Sequence, residues 1–435
     1  MKPILKNIKQ NKNPFILFLP FLILYIVLIL KFAIKENYGD ESRYLSYAQN
    51  LLNGFYSPPP PDIDLGNGPG YPLLLVPFLA LHLPLIYIKL FNAIFYYLSI
   101  VLLFKSLQQI VSFKFAIIFS LLWALYPNIY EQIFYTLPEV FASSLMPLLI
   151  FTLLKSFQNN IKTKNTRLYI FFAGLTFGYL ALTKPIFGYV LLAMVIGTAL
   201  LWLANRKNRA YKKGMSVLII AFIVTTPYLA YTHHLSGKMF YWSSYGGNNL
   251  YWMSSPLEQE YGSWEPSSNL TSDYKKETCI IGYADSIIKY HQADFLYINQ
   301  FKGVEQDDAY KRVAINNIQS HPIKFLKNCI SNIGRIIFNY PYSYKIQSPN
   351  TLFRIPFNGT LILLMLICSI PAIMNWNKIN FAFRFMLLFA LIYLAGSILG
   401  SAETRMFTLV VPVFLVWIAF IISKSCINFD FDRPK

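Results

Sequence analysis

The stretch PFILFLPFLILYIVLILKFAIKENYGDESRYLSYAQNLLNGFYS, residues 14–57, sets two chemical regimes side by side. Its first part, 14–34, is apolar except for Lys31, and at ~1.5 Å of helical rise per residue it reaches across ~30 Å of hydrocarbon. Its second part turns abruptly polar at Glu36, Asp40, Glu41 and Arg43, then places apolar residues at helical spacing. A membrane span that opens into a charged interfacial segment reads this way. Apolar stretches of similar character recur at 85–104, 115–126, 140–154, 168–182, 185–204, 215–231, 357–374, 385–400 and 407–423. The expected fold is an all-α polytopic membrane protein with about 10 transmembrane helices, in a range of 9–12. A further apolar stretch, 71–83, holds Pro72 and Pro77, is followed by Pro84, and is about half a span long. It reads as a re-entrant or interfacial element.

Composition excludes the soluble alternative. Of 435 residues, 13% are charged and 55% hydrophobic, where soluble domains carry about 25% charge. An aromatic share of 17% suits a chain with much interfacial surface.

Lysine and arginine placement gives the orientation. With the N-terminus inside, the cytoplasmic segments hold Lys2, Lys6, Lys9 and Lys12, Lys105 and Lys114, Lys155 to Arg167, Arg206 to Lys213, and Lys378, Arg384 and Lys424. Acids enter these segments only in the tail, at Asp430 and Asp432, whereas Glu36, Asp40, Glu41, Asp62, Asp64, Glu131, Glu139 and Glu403 all fall outside. Both termini are expected in the cytoplasm, with the first span an uncleaved signal anchor. The formal charge of +18 then reflects the positive-inside bias and attraction to anionic headgroups, so no nucleic-acid partner follows from it. The chain divides into an N-terminal bundle, 1–231, with its first outer loop at 35–70; a large outer loop, 232–356; and C-terminal spans with a tail, 357–435.

The first outer loop carries an amphipathic helix from Asp40, with Tyr44, Leu45, Ala48, Leu51, Leu52 and Phe55 on one stripe, Gly54 at its end and Pro58 to Pro61 beyond. Asp40 and Glu41 open that helix. Aspartate is a favoured N-cap and first-turn glutamate suits the helix dipole, so capping and a catalytic carboxylate both stand as readings. In the large loop, 307–338 reads as two amphipathic helices broken at Pro322. Asp307 caps the first, while Ile323, Phe325, Leu326, Ile330 and Ile333 of the second face membrane or bundle. The loop's aromatics between Tyr241 and Trp264 fit ordinary packing or sugar stacking. Its Cys279 and Cys329 are either paired or free, and Asn269 and Asn358 begin glycosylation sequons.

Charges at the outer ends of spans carry the third signal. Glu139 opens the fourth span, Lys184 sits in the tight turn between the fifth and sixth, and Arg405 precedes the tenth. Charge bordering hydrocarbon is costly and marks a function or a pairing, with snorkelling to the interface as the plain alternative. Two cations placed against the positive-inside trend suit an anionic ligand such as a lipid phosphate.

Taken in order, GDESRYLSYAQNLLNGFYS, GPGYPLLL at 68–75, PEVF at 138–141, LTKP at 182–185, AINNIQSHPIKFLKN and AETRMFTLVVP at 402–412 resemble the GT-C superfamily of lipid-phosphosugar-dependent glycosyltransferases. The resemblance lies with the branch of protein O-mannosyltransferases and the lipid A aminoarabinose transferase, and it runs over most of the chain as weak motifs in consistent order. It implies inverting transfer of a sugar from a polyprenyl-phosphate donor to a hydroxyl on a glycolipid, glycan or protein. The reaction would take place at the outer face of a bacterial inner membrane, in cell-envelope lipopolysaccharide or protein glycosylation. The family's first-loop aspartate matches Asp40; Glu41 is the neighbouring catalytic candidate. Lys184 and Arg405 would hold the donor phosphate, and Glu139 and Tyr44 would line the cavity or acceptor site. The chain departs from the aminoarabinose transferase, which has Glu-Lys-Pro in its first loop where this chain has Asn67-Gly-Pro-Gly-Tyr-Pro. That argues against the same donor. No cofactor is implied with certainty; a divalent metal is conceivable at His233 and His234, which lack a clear carboxylate partner. The competing classes are a lipid-intermediate flippase or other transporter, which would place polar groups near the midplane, and a non-catalytic membrane scaffold.

Overall fold

The computed structural model describes residues 13–33, 40–158, 163–265, 283–344, 347, 349–400 and 402–427. Cys279 and the Asn269 sequon lie outside the described residues. The described chain is helical and contains no strand.

Eight helices are long and apolar enough to cross a membrane: α1 (Pro14–Phe32), α4 (Ile86–Leu107), α7 (Pro138–Phe157), α8 (Thr163–Thr183), α9 (Ile186–Ala204), α10 (Arg209–Ser236), α15 (Asn350–Met374) and α16 (Phe381–Leu399). Shorter apolar helices are α3 (Gly70–Ala80), α5 (Phe113–Ala124) and α18 (Val411–Ile427). All ten expected spans correspond to helices, two of them short, and the 71–83 stretch is the short α3. The stretch 407–423 is broken: a five-residue helix α17 (Thr404–Thr408) precedes α18, which opens with Pro412 near its start. The chain is an integral membrane protein, and α1 shows why. It buries a stripe of Phe18, Tyr25 and Ile29 against α4 and leaves Ile16, Val27 and Leu30 more than half exposed, a pattern that only a lipid surround makes favourable.

Packing follows the chain closely: α4 lies on α1 and α7, α8 on α7 and α10, and α9 on α10 and α16. The core between them is aromatic, with Phe187 stacked on Phe389 and Tyr393 at centroid distances of 5.4 and 4.6 Å. Small polar residues in the spans turn inward on their own helices. Ser120, Thr152 and Thr176 donate to carbonyls one turn back, which satisfies these three hydroxyls within their own helices.

Outside the spans, α2 (Asp40–Leu52) packs on α3 and ends at Gly54, whose φ of +89° is the left-handed conformation a helix stop requires. The large loop forms α11 (Gly246–Met253), α12 (Tyr283–Ile298), α13 (Gly303–Ser320) and α14 (Pro322–Phe338). The break at Pro322 stands as expected. The reading of Asp307 as the cap of α13 is corrected: α13 starts four residues earlier, at Gly303, and Asp307 lies inside it. Its Oδ1 accepts the Gly247 N–H at 2.5 Å, so it satisfies the start of α11, a different helix. Helix α14 is inside out by soluble standards. Its Lys324, Asn328, Asn332 and Arg335 are buried, while Ile323, Leu326, Ile330 and Ile333 are exposed. Such a helix lies in the interface with its apolar face in lipid.

Candidate active site

The chain reaches the site from four separate places. Asp40 is the first residue of α2, which Tyr44 holds against α3 by an edge-on contact with Tyr71 at 5.4 Å. Its Oδ1 accepts from Arg43 Nη2 at 2.5 Å, and its Oδ2 from Arg405 Nη1 and Nη2 at 3.3 and 3.4 Å. Among the described residues, no backbone N–H of α2 donates to the Asp40 side chain. The carboxylate spends its hydrogen-bonding capacity on two guanidinium groups from opposite ends of the chain and keeps lone pairs to spare.

Glu139 follows Pro138 at the start of α7 and is 2% exposed. Its Oε1 lies 2.9 Å from Lys184 Nζ and 3.4 Å from Arg405 Nη1, which puts the two cationic nitrogens no more than 6.3 Å apart. Its Oε2 is buried without a hydrogen-bond partner among the described residues, as is the Tyr71 hydroxyl. Lys184 is fixed by the turn between α8 and α9, and the turn is clamped by GPGYP. A Cβ on Gly68 would stand 2.0 Å from the Leu182 carbonyl oxygen, and one on Gly70 would stand 2.7 Å from the Thr183 nitrogen. Only glycine allows that approach. Tyr179 completes the clamp by donating to the Gly70 carbonyl at 2.8 Å.

Arg405 also lies 2.7 Å from Glu403. Burial alone would lower its pKa, but the carboxylates of Glu403, Glu139 and Asp40 outweigh that and raise it well above the usual arginine value. It stays charged at any physiological pH. The cluster holds three carboxylates, Asp40, Glu139 and Glu403, against three cations, Arg43, Lys184 and Arg405. Lys184 and Arg405 keep 14% and 25% exposure, so both reach the accessible side while Glu139 braces them from beneath.

Glu41 points elsewhere. It is fully buried, accepts the Thr136 N–H at 2.6 Å and lies 3.9 Å from Lys89 Nζ, itself 2% exposed. Tyr44 is buried too, and its hydroxyl donates to Asn67 Oδ1 at 3.0 Å. The sequence expectations thus separate: Asp40, Glu139, Lys184 and Arg405 meet, while Glu41 and Tyr44 tie the loop after α1 to the bundle. Lys89, Arg43 and Glu403 were not anticipated. Lys89 had a signal, being a lone charge one turn inside a span. A second network, with Arg354 on Glu131 and its Nε donating to Asn128 Oδ1 at 2.9 Å, ties α15 to the same end of the bundle.

An apolar groove of about 460 Å³ runs between α14, α15, α16 and α18, lined by Ile336, Met365, Leu391, Ile398, Phe407 and Trp417 among others. Phe407 places one part of it two residues from Arg405. Among the described residues, no group of three or more His, Cys, Asp or Glu side chains could hold a metal ion.

No protein-family model matches the sequence, and no curated protein does. Solved structures do match. The oligosaccharyltransferase of Archaeoglobus fulgidus in its apo form is 12% identical with a TM-score of 0.51, over 95% of this chain and 51% of that one. The same enzyme tethered to an acceptor peptide containing the NVT sequon gives 13% and 0.50, over 94% and 50%. ArnT from Cupriavidus metallidurans, bound to undecaprenyl phosphate, is 12% identical with a TM-score of 0.42, over 95% and 77%. This chain therefore spans about half the length of the oligosaccharyltransferase. Across that shared half, the helices of this chain have the fold of the Archaeoglobus fulgidus oligosaccharyltransferase.

Proposed function

We propose that this chain is an inverting glycosyltransferase that moves a sugar from a polyprenyl-phosphate donor to a hydroxyl acceptor at the outer face of a bacterial inner membrane. The observation that carries the reading is the placing of Asp40 beside Arg405, with Arg405 and Lys184 converging on one oxygen of Glu139. Asp40 accepts the acceptor's proton as the acceptor oxygen bonds to the anomeric carbon. The bond from that carbon to the phosphate oxygen breaks, its electron pair stays on the phosphate, and polyprenyl phosphate leaves. That leaving group needs charge stabilisation more than a proton, and Lys184 and Arg405 supply it from positions fixed in advance by Glu139. The apolar groove that begins at Phe407 takes the prenyl chain. Glu41, paired with Lys89, anchors the loop that carries Asp40. The clustering of the ionisable groups at one end of the spans, rather than midway along them, supports transfer over transport.

The purified chain in lipid vesicles, given polyprenyl-phosphate sugars labelled in the sugar, tests this. Cleavage that returns polyprenyl phosphate and places the label on water or an added acceptor is expected. A donor carried across the vesicle membrane uncleaved would overturn the reading in favour of a transporter.

A further inference from the structure

Arg43, the partner of Asp40, also lines a cleft of about 390 Å³ between the loop that carries Asp40 and the large loop. We propose that it is the acceptor subsite and that it takes a neutral saccharide; this rests on the transferase reading and names the class of acceptor.

Its place follows from the two oxygens of Asp40. Oδ2 faces Arg405, one of the two cations assigned to the donor phosphate, whereas Oδ1 faces Arg43, which lines the cleft. One carboxylate is therefore bonded both to a cation of the donor site and to a residue of the cleft, which suits a base that takes a proton from an acceptor attacking a phosphate-linked sugar. The acceptor hydroxyl reaches Asp40 past Arg43, its oxygen bonds to the anomeric carbon as the phosphate departs, and its proton passes to Asp40.

The lining chooses the ligand class. Tyr245, Trp264 and Tyr310 supply aromatic surface, and Trp264 keeps 38% of its area exposed. Tyr245 is wedged between the Arg43 guanidinium, 4.9 Å from its ring centroid, and Gly66, where a Cβ would stand 2.5 Å from the ring. Two of the lining charges are matched, Arg43 by Asp40 and Asp307 by Lys311, whereas Asp64 has no cationic partner among the described residues. The capacity left over is for accepting. Asp64 Oδ1 takes the Tyr47 hydroxyl at 2.6 Å and the Gly66 N–H at 3.1 Å, while no hydrogen bond reaches its Oδ2 among the described residues. Asn248 Oδ1 is buried without a partner. Unspent acceptors next to aromatic faces call for a ligand with a rim of hydroxyl donors and an apolar carbon face, which is a pyranose. An anionic ligand would meet a carboxylate oxygen. A peptide backbone would find no strand edge among the described residues to pair with.

The test titrates the full chain in lipid nanodiscs with lactose, maltose, chitobiose and a serine- and threonine-rich dodecapeptide, and follows tryptophan fluorescence and calorimetric heat. Saturable binding of at least one disaccharide is expected, weakened about tenfold or more in both Trp264→Ala and Asp64→Asn, with the thermal midpoint and helical signal showing that each variant is folded. Binding of the peptide alone, no saturable binding of any disaccharide, or a disaccharide affinity equal in the wild type and both folded variants would overturn the proposal. Wild-type cleavage of a polyprenyl-phosphate sugar without any acceptor is measured in parallel. Cleavage without disaccharide binding overturns the cleft alone. Disaccharide binding without cleavage supports the cleft as a saccharide site and counts against the transferase reading.

Discussion

Lys184 and Arg405 share one oxygen of a carboxylate that is almost wholly buried, so neither must be ordered when a phosphate arrives. Replacing either with alanine removes a charge-assisted hydrogen bond and is expected to weaken binding of polyprenyl phosphate by about 1.5–3 kcal/mol. Equilibrium binding to the chain in nanodiscs checks this, and unchanged affinity in both variants would remove the phosphate from this place. Glu41 is expected to behave differently. Glu41→Gln keeps an acceptor for the Thr136 N–H but neutralises one partner of buried Lys89, costing about 3 kcal/mol, the low end for breaking a buried pair because 3.9 Å is a long contact. The loss should appear in the thermal midpoint, and adding Lys89→Met should recover part of it. These residues were legible in the sequence to different degrees. Glu139, Lys184 and Arg405 stand out because a charge at the edge of hydrocarbon is costly and so is kept for a reason. The partners they choose follow no periodicity, and nothing in the sequence pairs Asp40 with a residue at the far end of the chain.

At the scale of elements, Asp307 shows how a local rule misleads. A favoured capping residue ahead of an amphipathic run reads as the cap of that run, yet α13 begins upstream and Asp307 serves α11 across the fold. Asp307→Ala strips a buried acceptor from the Gly247 N–H, the Tyr241 hydroxyl and Lys311 together, with an expected cost of about 3 kcal/mol. Asp307→Asn, which keeps an acceptor, should lose less; hydrogen exchange at the α11 amides separates the two. The same outer region holds a buried acid. Burial alone would raise the pKa of Glu260, but the hydrogen bond with His291 at 2.8 Å and the electrostatic attraction of that ring pull it below its ordinary 4.5. A depressed acid stabilises the fold above its unfolded value. This contribution is therefore complete above about pH 4.5 and fades as pH falls through the lower folded value. Thermal midpoints between pH 3 and 6 should fall with acid in the wild type and fall less in Glu260→Gln. The stripe on α14 was legible at once, since apolar residues at helical spacing need an apolar neighbour. Whether that neighbour was bundle or lipid was decided by the buried Asn328, Asn332 and Arg335 on its other face.

For the whole molecule, composition and apolar run length carried the architecture, because satisfying every backbone group in hydrocarbon leaves helices as the spanning form for such runs. The broken 407–423 stretch shows the limit, since α17 separates from α18 at a turn that hydropathy does not register. Orientation rests on charge placement. In a chain with Cys279, Cys329, Cys368 and Cys426 replaced by serine, cysteine at exposed Lys302 is expected to react with a membrane-impermeant maleimide added outside, and cysteine at Lys207 only after permeabilisation. The reverse pattern would place the whole site in the cytoplasm. The central claim, that Asp40 is the base of a glycosyl transfer, turns on one comparison: single-turnover cleavage of a polyprenyl-phosphate sugar by the wild type and by Asp40→Asn, at equal amounts of folded protein. Asparagine keeps the size of the side chain and one accepting oxygen, enough for Arg43 or Arg405, but cannot take up the acceptor's proton, so the account expects the rate to fall by roughly 100- to 10,000-fold with donor binding kept. A rate within about threefold of the wild type, small against that range, would contradict it.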